Sequence, residues 1–308
     1  MWDTAIKQVQ SGKLDDRPLY WTRLKMQVRL KQHYLFENDI DFEKSIVKKG
    51  TELEKMIQLF EEKSRNYDGI DFSKAGNKKK VLITGFDPFQ LNPDINFITS
   101  MGLDSANTFN PSGLLALFLQ NNKDLLDKNI YVQTSIFPVR YEDFDNLVVE
   151  NLINKHIGNV DLIMTTSLNG GSNWFDIEAD AIEYRGGFHD NLCIGGNNYK
   201  DYNSSRFISN TSNKHNLTTL PKTKIFGNNQ SLKINNLIVK FDDSKLNSST
   251  DGVGGNYLSN EIMFRSTSIR GNNSSKPVGH FHLANLGNIN RVKEVIDVTI
   301  DVIKKIIL

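Results

Sequence analysis

A single cysteine, Cys193, among 308 residues excludes an intramolecular disulfide framework, a thiolate-built zinc cluster and a Cys-x-x-Cys redox pair. Net charge is missing as well. Lys and Arg number 37 against 36 Asp and Glu, a formal +1, so no long-range field draws in nucleic acid or anionic membrane. No run approaches the roughly 18 apolar residues that span a bilayer, and the opening MWDTAIKQVQSGKLDDRP lacks the apolar core of a secretory leader. These absences lead us to expect a soluble, cytoplasmic protein without nucleic-acid or membrane partners. Asparagine is plentiful at 35 residues. Sequons such as Asn203, Asn216, Asn247 and Asn273 arise by chance in such a composition and are not read as glycosylation sites.

Residues 1–76 differ in texture from the rest. The sequence predicts helices over Thr22–Tyr34 and Asp41–Ser64, the second with a dry face of Phe42, Ile46, Leu53, Met56, Ile57 and Phe60. We read 1–76 as an N-terminal helical extension packed on a main α/β domain spanning 77–308. That domain opens on a strand at Val81–Thr84, followed by a helix over 112–120, a strand at Tyr131–Phe137, a helix at Phe144–His156 and a strand at Val160–Thr165. Continuous apolar runs of this kind belong to strands covered on both sides. The expected fold is therefore a single open, twisted α/β sheet with helices on both faces. Further strands are expected at Thr223–Phe226, Leu232–Phe241 and Gly279–Leu283. A final helix, Ile289–Ile307, carries an apolar stripe whose one polar member, Thr299, can satisfy its hydroxyl on the preceding turn.

Four segments place polar groups beside glycines at the ends of apolar runs, where α/β proteins bind ligands: GFDPF at 85–89, SLNGGSNWFDIEADAI at 167–182, GVGGNYLSNEIMF at 252–264 and GHFH at 279–282. Neither a phosphate-binding loop nor a dinucleotide fingerprint is present, which sets nucleotide chemistry aside. His280 and His282 share a strand face and can ligate a metal with Glu178 or Asp176 as a remote third donor. No HExxH or comparable spacing accompanies them, so neither metal nor cofactor is expected. Ser259 sits at a predicted helix start, where free amides can stabilise an oxyanion; it serves equally well as an N-cap. Cys193 lies in a polar loop without an evident base.

Taken together, KVLITGFDPF at 80–89, NPSG at 110–113, NGGSNWFDIEADAI at 169–182, TTLP at 218–221, GGNYLSNEIMF at 254–264 and GHFH at 279–282 resemble pyroglutamyl peptidase I in order and approximate spacing. The resemblance covers residues 79–305. It implies a single open α/β domain that hydrolyses the bond after an N-terminal pyroglutamate through a Glu-Cys-His set. Position by position it places the glutamate on Glu178, the histidine on His282 and the nucleophilic cysteine on Ser259. The lactam-flanking aromatics fall on Phe86 and Phe89, and Arg185 is the nearest counterpart of the arginine of the oxyanion region. The chain departs from the pattern in its serine, in the missing glycine pair after the first loop and in the extra residues Gln90–Phe109.

The resemblance implies that His282 takes the Ser259 proton during attack on an amide carbonyl while Glu178 fixes the imidazole. A serine hydroxyl, unlike a thiol, depends wholly on base geometry. Three readings stay open here: an amide or peptide hydrolase re-optimised around serine, an inactive member that binds a peptide or small amide, and an engineered Cys-to-Ser form. The expected partner is a peptide or small-amide substrate, with homo-oligomerisation left open.

Overall fold

The computed structural model describes residues 1–44, 46–89, 91, 109–170, 173–186, 188–192, 194, 215–270 and 275–308. Cys193, the sequons at Asn203 and Asn273, and all of the Gln90–Phe109 insertion except Leu91 and Phe109 lie outside the described residues.

Among the described residues seven strands form the central sheet: β1 (Lys79–Phe86), β2 (Ile130–Phe137), β3 (Leu162–Leu168), β4 (Phe175–Glu178), β5 (Ser231–Ile234), β6 (Leu237–Asp242) and β7 (Val278–Leu283), in the spatial order β2-β1-β3-β7-β4-β6-β5. The block β2-β1-β3-β7 is parallel. β4 runs antiparallel to β7, β6 parallel to β4, and β5 antiparallel to β6. The apolar runs read from sequence are the edge strand β2 and its inner neighbours β1 and β3, buried along nearly their whole length.

Helices cover both faces, as the sequence led us to expect. On one side α1 (Trp2–Gln10), α4 (Pro111–Leu119) and α7 (Val292–Ile307) join Val81, Ile83, Met164, Ile177 and Phe281 in the larger core. Val295, Ile296, Val302, Ile303 and Ile306 of α7 are buried, each worth about 1.5–3 kcal/mol relative to exposure. Thr299 donates to the Val295 carbonyl at 2.8 Å, the back-bond expected of it. On the other side α5 (Val148–His156) and α6 (Leu258–Arg270) cover Leu82, Ile163 and Val278. Gly85 is where β1 meets α4: a Cβ there would stand 2.1 Å from the Ser112 carbonyl oxygen, so only glycine lets the helix start approach the strand.

Several local expectations are corrected. Thr223–Phe226 is not a strand but the body of a short helix, Lys222–Phe226, stopped by Gly227 at φ 62°, a positive dihedral that glycine takes without a Cβ penalty. Leu232–Phe241 is a hairpin, β5 and β6, turned by Asn235 and Asn236 at φ 48° and 67°, the two positive dihedrals of a type I′ turn. The helix read over Phe144–His156 is broken at Leu147, φ 61°, into Tyr141–Asp145 and α5.

In the N-terminal segment α2 spans Arg17–Lys31, and α3 begins at Glu52, capped by Thr51, rather than at Asp41. Between them Ile40–Asp41 and Ile46–Val47 form a small ribbon, which leaves Phe42 and Ile46 exposed. Of the expected dry face only Leu53 is fully buried. Docking instead runs through α1, whose Trp2, Ala5 and Val9 enter the main core, and through charges. Arg23 Nη1 meets Asp87 Oδ1 at 2.8 Å, and Arg65 Nη1 meets Asp87 Oδ2 at 2.6 Å, all three residues being buried. Among the described residues no helix is long and apolar enough to cross a membrane.

Candidate active site

The polar face of the sheet follows from register. Side chains alternate along a strand, so Asp176 and Glu178 of β4 share a face, as do His280 and His282 of β7. Pairing of His282 with Asp176 across β4, and with Ser167 across β3, puts all of them on one ledge. The opposite faces, Ile177 and Phe281, are core. This row continues the α6-covered face toward the C-terminal ends of β3 and β7.

His282 Nδ1 lies 2.6 Å from Glu178 Oε1, with the carboxylate fully buried and the imidazole nearly so. The contact is an ion pair of close approach rather than a well-angled hydrogen bond, because neither Glu178 oxygen meets a donor in hydrogen-bond geometry. Burial alone disfavours the imidazolium, yet Glu178, with Asp176 and Asp242 beyond it, more than offsets that and raises the His282 pKa above its usual value. For Glu178, burial pushes upward, but the two imidazoles prevail and hold its pKa below normal. Asp176 is pushed up to about 6 by burial and by the neighbouring Asp242 and Glu178 carboxylates. With Nδ1 turned to the carboxylate, Nε2 is the nitrogen left for a reacting group.

Ser259 is the second residue of α6, so the sequence placed it correctly at a helix start. Its hydroxyl donates to the Gly254 carbonyl at 3.1 Å. Gly254 also presses on the carboxylate: a Cβ there would stand 2.3 Å from Glu178 Oε1. One backbone residue therefore touches both the serine and the glutamate. Gly254→Ala is expected to displace the Glu178 carboxylate and to lower any turnover that depends on it on the order of 10²-fold, readable as kcat/KM beside a melting curve.

Ser259, Phe86 and Phe89 line one pocket together with Asn110, Val139, Ser167, Leu168, Tyr257 and Leu258. Its volume is about 40 Å³. Phe86 is largely core, packed against Phe137 and stacked on Phe144 at 6.2 Å, whereas Phe89 is half-buried. The loop carrying them is held on several sides. Asp87 is clamped by Arg23 and Arg65, its carbonyl accepts from Asn110 Nδ2 at 2.9 Å, and the Pro88 carbonyl accepts from Asn191 Nδ2 at 2.8 Å.

Arg185 is not among the residues that line this pocket. It is fully buried, ion-paired with Glu261 and with Asp145, and lies over the Tyr141 ring at 4.7 Å. Sequence reasoning missed Ser167, which lines the pocket, and the carbonyl of Gly254. It also missed β4 itself, although FDIEADA at 175–181 alternates apolar and polar residues.

Glu178, His280 and His282 bring ligand-type atoms within 4.8 Å of one another, the donor set of a metal site. His280, however, has both nitrogens engaged: Nδ1 with Thr165 Oγ1 at 2.7 Å and Nε2 with Ser167 Oγ at 2.8 Å. One imidazole and one carboxylate remain, short of the three protein ligands that catalytic zinc takes.

Residues 1–41 match the family model described as the PA0049 N-terminal domain. Uncharacterized protein PA0049 of Pseudomonas aeruginosa is 29% identical over 209 residues, 61% of this chain; the match spans about a third (34%) of that relative's length. Among solved structures, pyrrolidone carboxyl peptidase from Pyrococcus furiosus superposes with a TM-score of 0.53 at 19% identity, covering 74% of this chain and 96% of that one. Pyroglutamyl peptidase I from Bacillus amyloliquefaciens gives a TM-score of 0.51 at 19% identity, covering 75% and 93%. The chain thus has the pyroglutamyl peptidase fold.

Proposed function

We propose that the protein is an amide or peptide hydrolase acting at an acyl group held between Phe86 and Phe89, with Ser259 as nucleophile, His282 as base and Glu178 orienting the imidazole. The observation that carries this reading is the buried Glu178–His282 pair at 2.6 Å, joined through Gly254 to a serine that lines an aromatic pocket. The pyroglutamyl peptidases that share the fold suggest an N-terminal pyroglutamyl group as the acyl portion. In the first step Ser259 Oγ attacks the carbonyl and its proton passes to His282 Nε2. The imidazolium then protonates the leaving amine, and water releases the acid. Amides in the first turn of α6 face the developing oxyanion. Arg185, committed to its carboxylates, has no part in the scheme.

The reaction has a signed pH dependence. His282 works as a base only when neutral, and its pKa is raised in the fold. We expect kcat/KM to climb with pH through an apparent pKa above 6.5, the free-enzyme value that this profile reports. The stabilising effect of the pair runs the other way. A raised histidine pKa contributes fully below the unfolded value and is lost as pH rises through the folded one, so maximal activity and the maximal contribution of this pair fall at different pH. A pH series of turnover and melting temperature checks both.

The test of the reading is direct: incubate the full chain with pyroglutamyl peptides and pyroglutamyl anilides and follow product. Release of pyroglutamate supports it. Binding of the same peptides by calorimetry with no product would instead favour a binding protein on this fold.

A further inference from the structure

The pocket has a second hydroxyl, and its surroundings differ from those of Ser259. His280 is fully buried and bridges two hydroxyls of β3, Thr165 at Nδ1 and Ser167 at Nε2. Thr165 Oγ1 also reaches the Gly279 carbonyl at 3.3 Å. A threonine hydroxyl has a single proton to give; when it goes to that carbonyl, the oxygen accepts from His280 Nδ1, and Nε2 faces Ser167 Oγ at 2.8 Å with its lone pair. That tautomer gives the proton arrangement of a serine beside a general base. Ser259, by contrast, gives its proton to a backbone carbonyl.

Charge acts on His280 in both directions: burial and His282 oppose the imidazolium while Glu178 favours it. An imidazolium formed on His280 would not stand alone in the core, because the Glu178 carboxylate lies within 4.8 Å of its ring nitrogen. Before the proton arrives, burial holds the ring neutral, pulling its pKa down to about 4 against the opposing pull of Glu178, so the lone pair is available throughout the neutral range. Ser167 itself faces the reaction space, lining the pocket with Phe86, Phe89 and Ser259.

We infer that Ser167 is a nucleophile of this pocket, with His280 as its general base and Thr165 holding the imidazole tautomer. The inference rests on the reading that the pocket holds an electrophilic acyl group. In the step itself Ser167 Oγ forms the bond to the carbonyl carbon, and its proton moves to His280 Nε2. The carbon–nitrogen bond breaks as that proton passes to the leaving amine. Water then attacks the acyl-serine, giving the carboxylic acid and restoring the hydroxyl. No redox partner is required.

The test uses the full chain and a fluorophosphonate probe, whose phosphorus takes the place of the carbonyl carbon and whose fluoride leaves. Peptide mapping by mass spectrometry then locates the adduct. The expected result is an adduct on the peptide carrying Ser167, absent in Ser167→Ala and formed about 10²-fold or more slowly in His280→Gln, the smaller end of what a general base contributes. An adduct confined to Ser259, or none on protein with an intact melting transition, overturns the inference. Should Ser167→Ala fail to fold, Ser167→Cys replaces it. Iodoacetamide should then alkylate Cys at this position faster than in Ser259→Cys, and the reverse order overturns the inference. The two readings fail separately. Labelling of Ser167 without release of pyroglutamate removes the proposed substrate only, whereas turnover with labelling confined to Ser259 removes Ser167 only.

Discussion

Glu178→Gln is expected to lower kcat/KM for a pyroglutamyl amide by about 10²–10⁴-fold, the range lost when a positioned general base no longer works. The substitution keeps the shape of the side chain and takes away the charge that holds His282 in place at 2.6 Å and supports the imidazolium formed in the transition state. The acid limb of the pH profile should move down at the same time, because the carboxylate is what raises the His282 pKa. His282→Ala is the harsher change. It leaves the fully buried Glu178 carboxylate without its counter-ion, a situation that costs about 3–5 kcal/mol, so loss of turnover there is to be read beside the melting curve. Steady-state kinetics of both variants, with Tm measured on the same samples, separates the lost chemistry from lost fold. Glu178→Gln with unchanged kcat/KM on a protein that does turn over would remove the pair from the mechanism.

The second large effect concerns the N-terminal segment. Asp87→Ala is expected to destabilise the protein by about 3–5 kcal/mol, because it strips two buried guanidinium groups, Arg23 and Arg65, of the carboxylate between them. For a chain of this size, with an unfolding entropy of about 2.1 cal/mol/K per residue, that corresponds to a fall in Tm of roughly 5–8 °C. Arg23→Met removes one of the two cations and fills similar volume. Since Arg65 still holds Asp87, its cost should be well under that of Asp87→Ala. The site is expected to respond too, since Asp87 sits between Phe86 and Phe89 and its carbonyl is tied to Asn110, another lining residue. KM for an acyl amide should rise in Arg23→Met even where Tm changes little. Equal stability of Asp87→Ala and the parent chain by thermal and urea denaturation would contradict this picture of the clamp.

Both predictions rest on features the sequence disclosed unequally. The central strands were legible because they are buried on both sides, and a continuous apolar run such as that of β1 or β3 admits few other readings. The C-terminal helix was legible from its stripe, down to the role of Thr299. The short helix ending at Gly227 and the turn at Asn235–Asn236 were misread because each apolar run alone fits either structure. The deciding signals were a glycine and two asparagines suited to positive φ. The helix break at Leu147 has no such residue to announce it.

The candidate site shows the same division. That Ser259 lies at a helix start and His282 on a late strand was read from local texture and from resemblance, whereas Glu178 was expected on a loop and lies on β4. What brings Glu178 against His282 is the antiparallel pairing of β4 with β7, whose residues are about a hundred apart in the chain, and nothing local encodes that register. The ion pairs from Arg23 and Arg65 to Asp87 likewise cross 64 and 22 positions. A buried arginine reads in sequence like any solvated cation until its partner is found. Ser167 escaped notice for a related reason: its significance comes wholly from the imidazole on the neighbouring strand, which it meets at 2.8 Å.

The account stands on acyl transfer to a serine of the Phe86–Phe89 pocket. The most direct measurement is the intact mass of the full chain quenched at short times after mixing with a pyroglutamyl ester, followed by mapping of any modified peptide. The account predicts a transient gain of one acyl group, located on a pocket serine and decaying as pyroglutamate appears. A folded protein that releases pyroglutamate without ever carrying the acyl group, or one that neither carries nor releases it, would contradict that claim.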